Sequence, residues 1–533
     1  MMSKPAAKDS PLCVIQTFDM NGLPSSRSRD TRRTFAVGGV LLVYAALLAF
    51  LIPRHAPWAD EAQSWQIARS VGLLELFRTT IHYEVTPALW HVLLWPLARL
   101  HMTYAGLHWF SGLIAFCGIC LVVIASPFPL VLRLALPFTF FFAFQYSVVA
   151  RSYVLFAPIL FLLAIAWPKR FRHPIVPAVL IGLLANVSAH GLVTAIGLAI
   201  VLLTEVLLNE RTDQRQLRAW LIPIATMLSL VIVAAWCLIP PSDAQWLIAY
   251  SAAKQLPLVV IASVMPTSQA WLERLPLVLQ VPLKLVLKFG TIFTYGICYP
   301  KVVAGVAWFL LVWRWRRERM LRYAIPPLFL GIFCLLGRFD TYHAGLIWVL
   351  FLFLWWVTWP RDQEDVRQRM LVFLLAICMA VQIAWSVRVI HYDVTQRYSP
   401  DRDAAPILRS FVDKGKSVDV AMLSEDKRGA HPEYFEVGLE PYFDTEPFHD
   451  VTARYWIWRP DPTMRTQYVS DTENRSVVVL LETFGNDGEA ARERERLEAM
   501  GYQQGASVCG RVMYPLQYYE PLCHVFYTPP SIH

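Results

Sequence analysis

Repeated apolar runs of about 18 or more residues constrain the fold of this chain more than any other feature. Bilayer hydrocarbon offers no hydrogen-bonding partners, so such runs form helices that satisfy their own backbone. Charged residues make up only 17% of the 533 residues, against roughly 25% in soluble domains. The pattern predicts an all-α polytopic membrane helical bundle of about 10–13 spans. The apolar runs are residues 35–52, 104–125, 128–147, 152–167, 174–189, 191–208, 219–239, 300–313, 323–337, 344–359 and 370–387.

Basic residues cluster in short loops between these runs, and such clusters mark the cytoplasmic side of a membrane. The clusters contain Lys169, Arg170, Arg172, Arg211, Arg215, Arg218, Arg314, Arg316, Arg317, Arg319, Arg322, Arg361, Arg367 and Arg369. They predict a multi-pass protein with a cytoplasmic N-terminus and with everything after Arg388 outside. The same loops account for the net charge of +8, and no basic recognition helix predicts binding to nucleic acid.

Composition divides the chain into three parts. Residues 1–34 are polar and end in a basic patch, which predicts a disordered cytoplasmic tail. Residues 35–387 form the predicted transmembrane module, with an outer loop at 54–86. Its partly apolar segment 240–299 contains lysines and recurrent prolines, which favour outer-face helices lying in the headgroup region. Residues 388–533 are charged and lack a spanning run, so we predict a small α/β domain outside the membrane.

The predicted C-terminal domain has recognisable elements. They are a helix that opens at Ser399-Pro400-Asp401 and closes at Gly415, strands at 418–423 and 477–481, and a charged helix at 488–500. Cys509 and Cys523 flank its last hairpin-like stretch. An oxidising compartment permits a disulfide between them. Sequence alone does not fix the distance between these two cysteines, so the disulfide stays open.

Loop 54–86 carries the strongest functional signal. It contains Asp60, Glu61 and Glu84 among tryptophan, histidine and tyrosine residues. Carboxylates held against a bilayer are costly unless they have a task. The chain then enters the run Pro87–Leu100, which is about 14 residues long and therefore short for a full span. We interpret that run as a tilted or interfacial helix.

These acids predict a catalytic site at the membrane face. One carboxylate can take a proton from an acceptor hydroxyl or amine. A second can orient the acceptor or hold a divalent cation. A phosphate leaving group needs cationic or hydrogen-bonding side chains nearby. The candidate substrate-binding residues on the same predicted face are Arg151, His190, Arg338, His343, His82 and Tyr83. No dedicated metal motif is visible, so the cofactor is unknown.

Structural roles compete with each of these assignments. Asp60 and Glu61 can serve as a helix cap, and Arg151 and Arg338 can extend to lipid headgroups. A lone histidine such as His190 is more often a hydrogen-bonded turn residue than a ligand. The occurrence of both acidic elements in one loop, in this order, favours function.

That order resembles the GT-C class of membrane glycosyltransferases. The nearest comparisons are the protein O-mannosyltransferases and the bacterial aminoarabinose transferases that modify lipid A. They share a first helix, an Asp-Glu pair, and a later acid before a Pro-x-Leu-aromatic segment. Here the matching residues are Asp60-Glu61, Glu84 and Pro87-Ala88-Leu89-Trp90. The motif covers about residues 35–100.

The resemblance implies a role for each acid. Asp60 matches the acid that acts as base or binds the acceptor, and Glu84 matches a second cavity acid. In the aminoarabinose transferases a lysine follows the second acid and contacts lipid phosphate, whereas this chain has Val85 there. Phosphate binding is therefore expected from Arg151, His343 and Arg338.

The resemblance also implies a reaction and a location. The expected activity is inverting transfer of a sugar from a polyprenyl-phosphate donor, at the outer face of a bacterial inner membrane. The acceptor (a lipid, a glycan or a protein) is not indicated. A transporter or flippase for lipid-linked saccharides is an alternative, although the two halves show no internal repeat. A non-enzymatic assembly subunit is another.

Overall fold

The structure is a computed structural model and confirms the predicted fold class. It describes residues 25–208, 218–244, 272–336, 339–359, 366–421, 435–448, 455, 478–484, 488–515, 517–518 and 521–529. These residues form a mostly helical, multi-span membrane protein with a small C-terminal α/β region. Most of the predicted tail, much of segment 240–299, and the basic residues Arg211, Arg215 and Arg361 lie outside the described residues.

The helices of the membrane module run in chain order from α1 to α16. They are α1 Ser25–Leu51, α2 Ala59–Ser70, α3 Leu73–Glu75, α4 Ile81–Glu84, α5 Leu89–Arg99, α6 Tyr104–Ala125, α7 Leu130–Ala135, α8 Phe156–Ala166, α9 Ile175–Ala185, α10 Ala189–Leu207, α11 Leu221–Cys237, α12 Leu277–Tyr295, α13 Lys301–Arg317, α14 Ile325–Leu336, α15 Ala344–Val357 and α16 Val366–Thr395.

Among the described residues, six helical stretches are long and apolar enough to cross a bilayer. They are Thr31–Leu51, Tyr104–Ala125, Ser152–Lys169, Ala189–Leu207, Val278–Tyr295 and Val366–Thr395. Shorter apolar helices accompany them at Ile175–Ala185, Leu221–Cys237, Leu321–Leu336 and Thr341–Val357. Large apolar side chains such as Leu42 and Ile222 are strongly exposed on these helices. Lipid contact gives such side chains an apolar surrounding.

The predicted run 128–147 is not one helix. It contains α7, a 3-10 turn at Leu136–Phe138 and a π-turn at Phe141–Gln145. Pro137 has no backbone N–H and its ring crowds the preceding turn, which weakens an α-helix at this position. The chain from 148 to 151 is non-helical. Its Ala150 backbone N–H donates to the Glu61 carboxylate of another element.

Two basic clusters share one carboxylate. Glu205, near the end of α10, lies 2.7 Å from Arg170 Nε and 3.0 Å from Arg322 Nε. The hydroxyl of Tyr323 donates to the same carboxylate at 2.8 Å. These contacts bring two of the predicted loop clusters to the same end of the helical bundle, as the charge pattern requires.

The C-terminal region is a mixed sheet with helices against it. Its elements are α17 Asp401–Val412, β1 Val418–Ala421, β2 Val478–Phe484, α18 Gly488–Ala499, β3 Gln503–Gly510, β4 Met513–Tyr514, β5 Gln517–Tyr518 and β6 Leu522–Thr528. The strand order is β1-β2-β6-β3, with β1 parallel to β2 and the other pairs antiparallel. Gly415 has φ +68° after α17, where glycine is favoured. The predicted helices and strands are confirmed within the described residues.

Cys509 and Cys523 are opposite each other on β3 and β6 and form a disulfide. We expect these two thiols to escape alkylation in the denatured, unreduced protein and to react after reduction. The bridge closes a short loop and should stabilise the domain by about 3 kcal/mol. Intact-mass analysis of protein alkylated with and without reductant measures this directly. Two modified C-terminal thiols in the unreduced sample would contradict the bond.

Candidate functional site

Glu61 lies fully buried in the first turn of α2, in loop 54–86. Its Oε1 accepts a hydrogen bond from the Trp58 backbone N–H at 2.8 Å, which closes the helix start. Its Oε2 accepts the Ala150 backbone N–H at 2.6 Å. The ring nitrogens of His108 and His55 lie 3.2 and 3.4 Å from its two oxygens. Glu61 therefore joins several chain segments instead of facing a cleft.

The histidines keep Glu61 ionised. Burial raises the pKa of Glu61, but hydrogen bonds and positive charge from His108 and His55 outweigh it and hold the pKa below its usual range. Burial lowers the pKa of His55, whereas the carboxylates of Asp393 and Glu61 together raise it to about 10. His55 Nδ1 lies 3.1 Å from Asp393 in α16. At neutral pH His55 is a cation between two carboxylates.

Asp60 and Arg151 form an ion pair beside this buried centre. Arg151 Nη1 lies 2.9 Å from Asp60 Oδ2. Asp60 precedes Glu61 and Arg151 follows Ala150, so the Glu61–Ala150 hydrogen bond brings their backbones together. The two side chains are 32% and 26% exposed, whereas Glu61 is inaccessible. The acid and the cation that sequence predicted for one membrane face are therefore in contact.

Two tyrosine rings hold the Arg151 guanidinium in place. Its central carbon lies 4.8 Å from the ring centroid of Tyr342 and 5.3 Å from that of Tyr153. Such cation–π contacts contribute roughly 0.5–2 kcal/mol each. They use the guanidinium face and leave N–H groups on its edge. That planar edge matches the geometry of phosphate and carboxylate oxygens.

The rings of His343 and His190 both contact the ring of Tyr153. The Nδ1 of His343 accepts the Asp340 backbone N–H at 3.0 Å, so the proton of the neutral ring is on Nε2. That Nε2 donates to the Tyr153 hydroxyl at 2.9 Å. The rings of His190 and His343 are stacked, with centroids 4.1 Å apart. Two of the three predicted substrate-binding histidines, His190 and His343, thus contact Tyr153, and Tyr153 contacts Arg151.

Glu84 is the second acid near Asp60. Gln63 Nε2 donates a hydrogen bond to Glu84 Oε1 at 2.7 Å. Burial raises the pKa of Glu84, the hydrogen bond from Gln63 lowers it and the charge of Asp60 raises it, so that the pKa is about 8. Glu84 is therefore mainly protonated at neutral pH. A neutral Glu84 can donate a proton or a hydrogen bond, and Asp60 beside Arg151 can accept one.

The backbone directly after Glu84 is strained. Val85 has φ +50° and ψ +40°, the left-handed region that β-branched residues rarely adopt. Such a conformation costs about 1–3 kcal/mol and persists only where surrounding contacts enforce it. It ends α4 and redirects the chain toward α5. The position of the Glu84 carboxyl is thus set by a turn that the sequence alone would not favour.

His82 and Tyr83 anchor this turn. His82 Nδ1 lies 2.9 Å from the carbonyl oxygen of Ile239, and the Tyr83 hydroxyl donates to Asp243 at 2.9 Å. Both side chains are buried. The contacts join loop 54–86 to the chain that follows α11. The substrate-binding roles predicted for His82 and Tyr83 stay predictions, and their observed contacts favour anchoring.

Glu84→Gln should flatten the pH dependence of stability. A carboxyl whose folded-state pKa is raised binds more protons in the folded than in the unfolded state, so stability falls as pH rises from about 4.5 through about 8. Glutamine cannot ionise, so the variant should lose less stability than the wild type over that pH range. We expect the two losses of unfolding free energy to differ by at least about 1.4 kcal/mol, which corresponds to one pKa unit. The full pKa shift would give a larger difference, but partial exposure of Glu84 to solvent screens it.

Thermal unfolding in detergent between pH 5 and pH 9 measures this effect. Glu75→Gln is the matched control, since Glu75 is an exposed acid in the same loop. Identical pH slopes for the wild type and Glu84→Gln would show that Glu84 is already ionised at neutral pH.

Sequence reasoning missed the tyrosines and Gln63. Tyr153 is two residues after Arg151 and Tyr342 directly precedes His343, so both lie within two positions of a predicted site residue. In sequence they are indistinguishable from ordinary interfacial aromatic residues. Arg338 lies outside the described residues. Within the described part of the chain, no group of three or more His, Cys, Asp or Glu residues has the arrangement of a metal site.

The geometry therefore brings Asp60 and Arg151 into a half-buried ion pair on a multi-span helical protein with a small C-terminal mixed sheet. Comparison with known proteins finds no matching family model, no matching curated protein and no matching solved structure.

Proposed function

We propose that this chain is a membrane glycosyltransferase of the GT-C class that moves a sugar from a polyprenyl-phosphate donor to an acceptor. The Asp60–Arg151 ion pair carries the proposal, because it joins a proton acceptor to a phosphate-type cation within 2.9 Å. Glu84 adds a second acid beside Asp60, and the pKa of Glu84 is raised to about 8. The order of these residues in the loop is the one that GT-C enzymes share.

The proposed reaction is a single displacement. The acceptor hydroxyl or amine transfers its proton to Asp60 as its oxygen or nitrogen attacks C1 of the sugar. The new bond to C1 forms while the bond from C1 to the phosphate oxygen breaks. Polyprenyl phosphate leaves with the electron pair, and the anomeric centre is inverted. No covalent enzyme intermediate is required.

Arg151 stabilises the leaving group in this proposal. Its guanidinium carries several N–H donors, so it can retain Asp60 on one and bind a phosphate oxygen with another. Tyr153 and Tyr342 hold its plane, and that preorganisation lowers the reorganisation needed as negative charge develops. Glu84, when protonated, can hydrogen-bond the acceptor or the phosphate.

We place this chemistry on the membrane face that carries the C-terminal domain, which we infer to be the outer face of a bacterial inner membrane. Contacts between that domain and loop 54–86 support a shared face. Arg69 lies 3.4 Å from the carbonyl oxygen of Phe443, and Arg402 donates to the carbonyl of His55 at 3.4 Å. The acceptor would enter between the loop and the domain.

Release of free polyprenyl phosphate tests the function. The purified full-length protein is reconstituted in proteoliposomes with polyprenyl phosphates that carry radiolabelled mannose or aminoarabinose. Membrane lipids and membrane-protein peptides serve as acceptors. An enzyme produces free polyprenyl phosphate and labelled acceptor in equal amounts. Movement of the intact labelled lipid between leaflets, without release, would instead identify a transporter. If neither polyprenyl phosphate release nor lipid movement between leaflets is observed, an assembly role is left and the proposal is overturned.

A further inference from the structure

The β4–β5 hairpin, residues 513–518, packs on the membrane module and not on its own sheet. Met513 and Tyr514 pair with Tyr518 and Gln517, separate from the four-stranded sheet. Tyr514 is buried, at 6% exposure. Together with Val512 it belongs to the apolar core of the helical bundle, whereas the sheet has apolar cores of its own. The C-terminal region thus inserts one short element into the membrane module.

Hydrogen bonds from both side chains and backbone fix the hairpin there. Arg388, near the end of α16, donates from Nη1 to the carbonyl of Pro515 at 3.2 Å. The Arg511 backbone N–H donates to the carbonyl of Arg397 at 2.8 Å. The side chain of Tyr398 also forms a hydrogen bond with that of Tyr514. The hairpin is therefore held at both its entry and its tip.

Tyr514 contacts the same ring that holds Arg151. Its ring lies 6.4 Å from that of Tyr342, with 36° between the planes. The Tyr342 ring also contacts the Arg151 guanidinium, whose central carbon lies 4.8 Å from the ring centroid. Arg151 in turn pairs with Asp60 at 2.9 Å. A continuous series of contacts therefore runs from the C-terminal hairpin to the candidate catalytic acid.

We propose that the β4–β5 hairpin is a wall of the active site and that Tyr514 positions Arg151 through Tyr342. The C-terminal domain is then part of the catalytic unit and not a separate module. The inference rests on the proposed function and adds a residue to it. Its physical basis is that a displacement of about 1 Å at a group that binds the reacting phosphate can lower a rate about 100-fold.

Alanine and phenylalanine variants of Tyr514 test this role. Tyr514→Ala removes the ring under Tyr342 and should lower kcat about 30-fold or more, with weaker binding of farnesyl phosphate as a probe. Tyr514→Phe keeps the ring and loses only the bond to Tyr398, so it should recover kcat to within about threefold of the wild type. Tyr502→Ala is the matched control, because Tyr502 is a buried tyrosine in a core of the sheet itself. It should lower stability and leave kcat nearly unchanged.

Arg388→Ala keeps the test decisive if Tyr514→Ala does not fold. Arg388 is exposed, and the variant removes a hydrogen bond to the hairpin without touching a core ring. We expect a kcat loss of about threefold in the same direction. Wild-type kcat and probe binding in Tyr514→Ala, or in Arg388→Ala when the former is unfolded, would overturn this proposal alone. A wild-type protein with no transfer and no binding of farnesyl phosphate would overturn the proposed function together with it.

Discussion

Asp60→Asn is expected to lower sugar transfer at least about 1,000-fold, the largest catalytic effect of any single change in this site. Asparagine keeps the size of the side chain and one oxygen for Arg151, but it cannot take a proton from the acceptor. The ion pair it weakens is partly exposed, and such pairs contribute only about 0–1 kcal/mol to stability. Folding and membrane insertion should therefore be preserved. Initial rates of polyprenyl phosphate release measure the loss.

Two further variants sharpen this experiment. Glu75→Gln removes an exposed acid from the same loop and should transfer sugar at the wild-type rate. Asp60→Glu keeps the carboxylate but moves it by one methylene, so it should retain partial activity because proton transfer depends on position. Full activity in Asp60→Asn would remove Asp60 from the role of base, even if the protein proved to be a glycosyltransferase.

Glu61→Ala is expected to produce the largest loss of stability, about 3–5 kcal/mol. The change leaves the buried His55 cation with Asp393 alone and strips a partner from the N–H groups of Trp58 and Ala150. Buried groups that lose a partner retain their full desolvation penalty. Thermal unfolding and the yield of monodisperse protein in detergent measure this effect.

The same variant also bears on mechanism. Glu61→Gln keeps an oxygen for the backbone N–H groups and should fall between alanine and the wild type in stability. Glu75→Gln is again the control, since an exposed acid in that loop should change stability by less than about 0.5 kcal/mol. If Glu61→Ala unfolds at the wild-type temperature, the buried network does not hold the loop. The contacts of Glu61 favour a positioning role over the catalytic role that the sequence predicted.

Hydropathy and charge were sufficient to predict the membrane module. Segment 104–125 was predicted as a span with the boundaries that α6 has. The helix that opens at Asp401 and the charged helix before Met500 were also predicted, because capping residues and charge patterns act over a few neighbouring positions. Segment 128–147 was less predictable. Its composition is mostly apolar, and the change from α7 to 3-10 and π turns around Pro137 leaves no mark on the mean hydropathy.

The candidate site was only partly predictable for a different reason. Asp60, Glu84 and Arg151 were selected because polar residues beside apolar runs are conspicuous in sequence. The contacts of Glu61 with His108, Ala150 and the His55–Asp393 pair join residues far apart in the chain. No local pattern encodes such contacts. The insertion of Tyr514 next to Tyr342 is equally non-local, since it depends on how the C-terminal domain docks.

The sequence by itself determined that this chain spans a membrane repeatedly, ends in a small α/β domain, and carries acids in its first long loop. Those properties follow from transfer free energies and capping, which depend on composition and short spacing. Tertiary structure alone decided that Glu61 is buried while Asp60 is accessible, and that Arg151 lies against both Asp60 and Tyr342. Neighbouring acids differ in role because burial and partners, set by distant segments, control charge and access.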